Sequence, residues 1–325
     1  MKDQRPTLAV VARTAGVSRA SASRAINGAY GVSETVRRRV RTVAAELGYE
    51  ANPVARALAT GRGGADRRER IEILIVDADP AAMSAKPFYG RVLTGAMRAL
   101  GDLDIALEVR RVSEAPRDEA LQDDTDPPLG RLLINVPGAA GAAYARRGRV
   151  VALGRSAPSV SFVAPDNDSG GFQAGVHLVT SGRRHVGAVF GPATPCARER
   201  RTGFLRGMAG AAQSVTAVDG DFTHARAYAA TRELLAREPR LDAVFAACDV
   251  TAMGVLQALR EAGRRVAADV AVVGFDGSAL AEAADLSSVY VPAEDEAASA
   301  VHRLLDPARP APPRLPTTLT VRGSS

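Results

Sequence analysis

The sequence predicts two kinds of structure in one chain: an N-terminal all-α helix-turn-helix headpiece and a larger α/β body of two lobes. Three observations carry this. The first 50 residues read as short helices with no strand pattern. From Ile71 onward, apolar runs of strand length alternate with amphipathic helical stretches, the pattern of parallel sheets covered by helices. The charge is also unevenly placed: residues 1–62 carry a net +7 and the remainder a net −1. A basic head on a nearly neutral body suits contact with a polyanion.

In chain order, Thr7 caps a first helix in which Leu8, Val11, Ala12 and Ala15 recur at helical spacing. Gly16 suits a tight turn at positive φ. Ser18 caps a second helix that runs to about Asn27. Its stretch, GVSRASASRAIN, holds three serines and two arginines, and only Val17, Ala22 and Ile26 to anchor it. The segment GAYG breaks the chain. Ser33 then caps a third helix, with Val36, Val40, Val43, Ala44 and Leu47 on one face and Arg37, Arg38, Arg39 and Arg41 largely off it. Three short helices with a glycine turn between the first two form a helix-turn-helix.

Residues Asn52 to Thr60 (NPVARALAT) hold Pro53 at the first turn of a short helix. Gly61 to Arg70 is glycine-rich, charged and aperiodic, and reads as a linker. Strands are expected in IEILIV, LDIALEV, RLLINV, RVVAL, HVGAVF, DAVFAA and DVAVVGF. Helices are expected in PFYGRVLTGAMRAL, FQAGVHLVTSG, RRTGFLRGMAGA and VTAMGVLQALREAG. Some 255 residues exceed one small sheet, so two α/β subdomains are expected, with ligand bound at the carboxyl ends of strands.

Several function classes are excluded at this level. No run of 18 apolar residues exists, and MKDQRPTLAV lacks a signal-peptide core, so a cytoplasmic protein with no membrane partner is expected. Cys196 and Cys248 are the only cysteines and make no disulfide framework. No P-loop, G-x-G-x-x-G, G-x-S-x-G or H-E-x-x-H occurs, and the four histidines are scattered. The expectation is therefore no enzyme, no catalytic residues, no metal site and no cofactor.

The ordered elements A-G-V-S, S-R, V-S-x-x-T/V, L-G-Y and N-P-x-A-x-x-L resemble the DNA-binding headpiece of the LacI/GalR family of bacterial transcriptional regulators. The resemblance continues through KPFYGRVLTGAM, DNDSGGFQAGVHL, ARERRTGF, VFAACDVTAMGV and DVAVVGFDG to LPTTLTVRGSS, and is thin only around Ser113 to Asp126. It implies a periplasmic-binding-protein-like effector domain. On that basis residues 1–51 form the headpiece, 52–60 a hinge helix, 61–70 a linker and 71–325 the body. The N-lobe would hold about 71–162 and 293–308, and the C-lobe about 163–292 and 309–325.

The resemblance implies a repressor that binds double-stranded operator DNA as a homodimer on a palindromic site. Its second helix would enter the major groove, which admits one helix. Arg19, Ala20 and Arg24 would read bases. Ser18, Ser21, Ser23 and Asn27 would hold the backbone, a contact that sets register without reading sequence, and Thr7, Ser33 and Asn52 are further DNA-binding positions. Ala55 and Leu58 would meet the minor groove, with Leu58 as a wedge. No C-terminal heptad helix follows VRGSS, so a dimer is expected.

The resemblance further implies a small-molecule effector between the lobes, sugar-like or nucleoside- or purine-like. The residues carried over are Phe88, Tyr89, Asp166, Cys196, Arg200, Cys248 and Asp276. An arginine with carboxylates suits hydroxyl groups. Lys86 replaces the family's asparagine, Cys248 stands where an amide is common, GFDG lacks a second acid, and Val291 replaces a frequent polar residue. These departures point toward a less hydroxylated or an anionic ligand. Two other readings stay open: a binding protein without operator function, and a redox- or metal-responsive regulator using Cys196 and Cys248.

Overall fold

The computed structural model describes residues 8–27, 32–47, 69–76, 83, 86–113, 127–210, 214–309 and 314–325. The chain divides into two compact units, Met1–Arg68 with Leu305–Arg309 and Glu69–Leu304 with Pro310–Ser325.

The headpiece contains α1 (Leu8–Thr14), α2 (Arg19–Asn27) and α3 (Glu34–Glu46). Gly16 turns between α1 and α2 at φ 65°, a conformation that costs a glycine little. The turn is closed by Gly16 N–H donating to Arg13 O (3.2 Å) and Val17 N–H to Ala12 O (3.0 Å). Val11, Ala12, Ala15, Ala22, Ala25, Val40 and Ala44 form the buried core, with Val17, Ile26, Val36, Val43 and Leu47 packed around it. Ala25 thus joins Ala22 inside, and Ile26 sits at the margin rather than the centre.

The body has two sheets. In the N-lobe, β1 (Glu69–Ile75), β2 (Ile105–Arg111), β3 (Gly130–Ile134), β4 (Val150–Leu153) and β5 (Ser161–Val163) lie in the order β2-β1-β3-β4-β5. All neighbours are parallel. Ile71 through Ile75 are buried because helices cover both faces of a parallel sheet. β1 begins at Glu69, two residues before the predicted strand, because Glu69 and Arg70 already pair with Ile105 and Ala106. These two residues therefore leave the expected linker. Helices α4 (Pro87–Leu100) and α5 (Gly138–Ala145) supply the crossovers.

In the C-lobe, helices α6 (Asn167–Thr180), α7 (Pro195–Met208), α8 (His224–Arg237), α9 (Asp249–Glu261) and α10 (Ala279–Ala283) surround a second sheet. Its strands are β6 (His185–Phe190), β7 (Ser214–Asp219), β8 (Ala243–Ala246), β9 (Ala271–Asp276), β10 (Ser287–Tyr290) and β11 (Thr318–Thr320), in the order β11-β10-β9-β8-β6-β7. Only β11 runs antiparallel to its neighbour. Phe190, Phe204, Phe245 and Phe275 centre the core, with Phe204 and Phe245 stacked at 4.3 Å.

The chain crosses between lobes after β5, after β10 and before β11. The helix following β10, α11 (Ala293–Leu305), packs on the N-lobe: a side chain at Gly95 of α4 would collide with the backbone of Glu294, and one at Gly130 with Leu304. The first and last crossings run side by side, with Asp166 N–H donating to Leu315 O at 2.8 Å.

Candidate functional site

Strand ends of both lobes meet around a cavity of about 130 Å³. The N-lobe contributes Lys86, Pro87, Phe88 and Tyr89 at the start of α4, Ile134 and Asn135 after β3, and Leu153 and Gly154 after β4. The C-lobe contributes Asn167, Cys196, Arg200, Phe222, Cys248, Val250 and Asp276; Pro165, Val291 and Glu296 come from or just beyond the crossings. This is the carboxyl-end location where open α/β sheets bind ligands.

Arg200 organises the C-lobe wall. Its Nη1 lies 2.9 Å from Asp276 Oδ1 and donates to Ala247 O at 2.7 Å, while Nε donates to Asn167 Oδ1 at 3.0 Å. Its guanidinium sits 4.0 Å over the Phe275 ring. A buried cation is tolerable only with such a set of partners. Burial pushes the Asp276 carboxyl upward, against the pull of Arg200. Arg200 reaches this position because α6 and α7 cross almost backbone to backbone. Gly171 and Gly175 on α6 face Gly203 and Gly207 on α7, and a Cβ on Gly171 would strike Arg200 O.

The backbone is strained where it lines the cavity. Among the described residues, five non-glycines have positive φ, and three of them are lining residues: Asn135 (56°), Phe222 (65°) and Asp276 (109°). Such strain concentrates at functional positions. Gly277 completes the turn after Asp276 at φ 58°, where a Cβ would meet Tyr290 Cα at 2.6 Å. Phe88 and Tyr89 pack edge to face at 5.6 Å, and Asn135 Nδ2 donates to Tyr89 Oη at 3.4 Å.

The two cysteines have ordinary structural contacts. Cys248 caps α9, its Sγ accepting from Thr251 N–H at 3.4 Å. Burial, reinforced by Asp276, pushes its thiol up to about 12, so it stays protonated and a poor nucleophile. Cys196 Sγ lies 3.3 Å from Thr194 Oγ1. Next to Cys248, Asp249 is buried and binds the Ser278 N–H (2.7 Å), the Ser278 hydroxyl (2.8 Å) and the Ser288 hydroxyl (2.6 Å), which ties the start of α9 to the turn after β9 and to β10.

Six of the seven expected effector residues line this cavity; Asp166 does not. Its Oδ1 accepts from Ser169 N–H at 3.1 Å to cap α6, and it lies in an open, charged surface groove with Arg314 and Glu199. The capping geometry turns its carboxylate outward, and the next residue, Asn167, takes the cavity side. The sequence reading also missed Phe222 and Glu296. Glu296 is 2% exposed, and burial pushes its carboxyl up to about 8, with Arg200, the Gly154 N–H and Arg91 pulling weakly the other way. A signal for it existed: Glu296 falls at helical spacing with Ala293, Ala297, Ala300 and Leu304, the buried face of α11.

In the headpiece, Ser18 Oγ accepts from Ser21 N–H at 3.1 Å and lies 2.9 Å from Ser21 Oγ, at the start of α2. Ser18 is exposed, and Ser21 and Ser23 are half-buried. Ser33 caps α3, accepting from Val36 N–H at 3.4 Å. Arg19, Ala20, Arg24 and Asn27 belong to α2, but their side chains lie outside the described set. Thr7, Asn52, Ala55, Leu58, the hinge and residues 61–68 of the linker also lie outside the described residues.

Residues 7–52 match the family model for bacterial regulatory proteins of the lacI family, and residues 176–325 match that for periplasmic binding protein-like domains. The transcriptional regulator CelR of Thermobifida fusca is 37% identical over 312 residues, covering 90% of this chain and 88% of CelR. The chain belongs to the LacI family. A repressor of Photobacterium profundum, PurR, is 26% identical over 92% of this chain and 91% of its own. Among solved structures, a CelR–cellobiose complex is 32% identical with TM-score 0.71, covering 99% of this chain and 100% of that one. A lac repressor dimer on its operator is 23% identical with TM-score 0.68, over 99% of both chains, a likeness of fold. LacI-family membership makes the protein a DNA-binding transcriptional regulator with an effector-binding body, and its relatives are regulators rather than enzymes. No helix among the described residues is long and apolar enough to cross a membrane.

Proposed function

We propose that the protein is a cytoplasmic repressor that binds a palindromic operator as a homodimer and is controlled by a neutral, sugar-like effector held between the lobes. The observation that carries the effector class is the Arg200–Asp276–Asn167 constellation, in a cavity flanked by Phe88, Tyr89 and Phe222. Fixed donors and acceptors beside aromatic faces suit a ring bearing hydroxyl groups. Arg200 is already matched by Asp276, which speaks against the anionic ligand that Lys86 had suggested. Similarity to CelR, seen in complex with cellobiose, supports the same class. The cavity of about 130 Å³ is smaller than the roughly 300–1,000 Å³ usual for ligand pockets, so a disaccharide enters with the lobes further apart.

In this reading residues 1–51 bind DNA, 52–60 act as the hinge, 61–70 link and the rest senses effector. Arg19, Ala20 and Arg24 read bases; Ser18, Ser21, Ser23 and Asn27 hold phosphates; Thr7, Ser33 and Asn52 also contact DNA; Ala55 and Leu58 enter the minor groove. A purine-like effector is the second reading, favoured by the same three aromatic rings. The redox reading finds no support in Cys248, whose thiol is a helix cap held protonated.

The experiment has two parts on the full chain. Binding-site selection from random duplex DNA is expected to return a two-fold-symmetric sequence, bound with affinity that falls steeply with salt. Calorimetry with cellobiose, glucose, hypoxanthine and guanine is expected to register the sugars. A non-repeated half-site overturns the dimer, and binding of the purines alone overturns the sugar.

A further inference from the structure

The carboxyl of Glu296 lines the cavity, and among the described residues it has the backbone N–H of Gly154 beside it but no side-chain hydrogen-bond donor and no ion pair. The cations nearest to it are engaged elsewhere. Arg200 of α7 is held by Asp276, Ala247 and Asn167. Arg91 of α4 makes a two-pronged pair with Glu294, both contacts at 2.7 Å, and donates to the carbonyls of Asp276 and Val291. The other ionisable groups of the cavity are Asp276, at the end of β9 and matched to Arg200, the Cys196 and Cys248 thiols, Tyr89, and Lys86 at the start of α4.

Burying a carboxylate without a charged partner is costly, and the group takes up a proton instead. A protonated carboxyl both donates and accepts, whereas an ionised one only accepts. We propose that Glu296 is a specificity-determining residue of the effector site, its neutral carboxyl donating to one oxygen of an uncharged sugar and accepting from the next. This rests on the sugar reading of the cavity and deepens it. With Arg200 and Asp276 matched to each other and Glu296 protonated, these groups offer hydrogen bonds without net charge, so the site selects the uncharged form.

The test is calorimetry of the full chain with cellobiose and glucose from pH 6 to 9.5, with glucosamine and glucose 6-phosphate as charged competitors at pH 7. Affinity for the neutral sugar is expected to be level to about pH 7.5 and about tenfold lower at pH 9, as the required proton is lost. Glu296→Gln keeps an amide donor and is expected to bind within about tenfold of the native chain at pH 7, with no pH dependence. Glu296→Ala is expected to bind weakly throughout. A level profile in the native chain overturns the proposal. So does a Glu296→Gln profile that tracks the native one, or a preference for glucosamine or glucose 6-phosphate.

If no sugar binds, the effector reading has failed, and the proton is then read in the ligand-free protein. A carboxyl raised from 4.5 to about 8 on folding stabilises fully below pH 4.5 and loses that contribution as pH rises to 8. The melting temperature of the native chain relative to Glu296→Gln is therefore expected to fall between pH 5 and 8 and level off above. A constant difference overturns the proposal whichever ligand the cavity takes.

Discussion

Among the described residues, the buried side chains of the headpiece are Val11, Val40 and a set of alanines, whereas the C-lobe is centred on Phe190, Phe204, Phe245 and Phe275 in mutual contact. Burial stabilises roughly in proportion to the apolar area removed from water, at about 25 cal/mol per Å². An alanine removes little area, and an aromatic ring a great deal. The described headpiece core therefore draws little stability from apolar area, and small local features such as caps matter to it. The C-lobe has a surplus and can hold strained backbone and a buried arginine at its cavity. The contrast suits their tasks: a helix whose surface is read by a partner has few side chains left for a core.

The largest expected effect tests the surplus. Phe245→Ala removes a stacked ring from the C-lobe core and is expected to lower unfolding free energy by about 3–5 kcal/mol, read by urea denaturation of the full chain. A loss near zero would mean that the four-ring cluster does not set the stability of the lobe.

The second bears on how that rigidity positions the site. Gly203→Ala forces α7 away from Asp168 on α6, and Arg200 lies one turn earlier on the same helix. Cellobiose affinity is expected to fall by about tenfold, roughly 1.4 kcal/mol, by calorimetry. Unchanged affinity with a lowered melting temperature would separate the helix crossing from the site.

The smallest tests the headpiece caps. Ser33→Ala removes the cap of α3 and is expected to cost about 1 kcal/mol, read as faster amide exchange across residues 34–46 with exchange in β8 unaltered. Equal acceleration in both would erase the distinction between the regions.

Strong periodic segments were legible. β1, β3, β6, β8 and β9 are predominantly apolar runs, and α4, α6, α7 and α9 carry clear helical spacing, so their types follow from pattern alone. β5 and β10, of three and four residues, were not, because so short a run has no period to read. Edge strand β7 (SVTAVD) was missed because it mixes polar and apolar positions and lacks an apolar run. At the cavity, Arg200 and Asp276 were found by resemblance. Asp166 and Asn167 were exchanged because only the cap geometry says which of two neighbours turns inward.

By itself the sequence determined the helix-turn-helix head, the alternation of strands and helices, and the family. These depend on spacings of 2 and 3.6 residues and on ordered local motifs, which a chain carries without knowing its partners in space. Only the tertiary structure decided that Glu296, on the helix after the second crossing, shares a cavity with Asp276 and Arg200. That meeting depends on the chain crossing between lobes, and on glycines that let α6 and α7 touch. Whether a carboxyl is paired or left alone in a low-dielectric pocket is a property of what surrounds it, and its surroundings include residues as distant in sequence as Arg200 and Gly154.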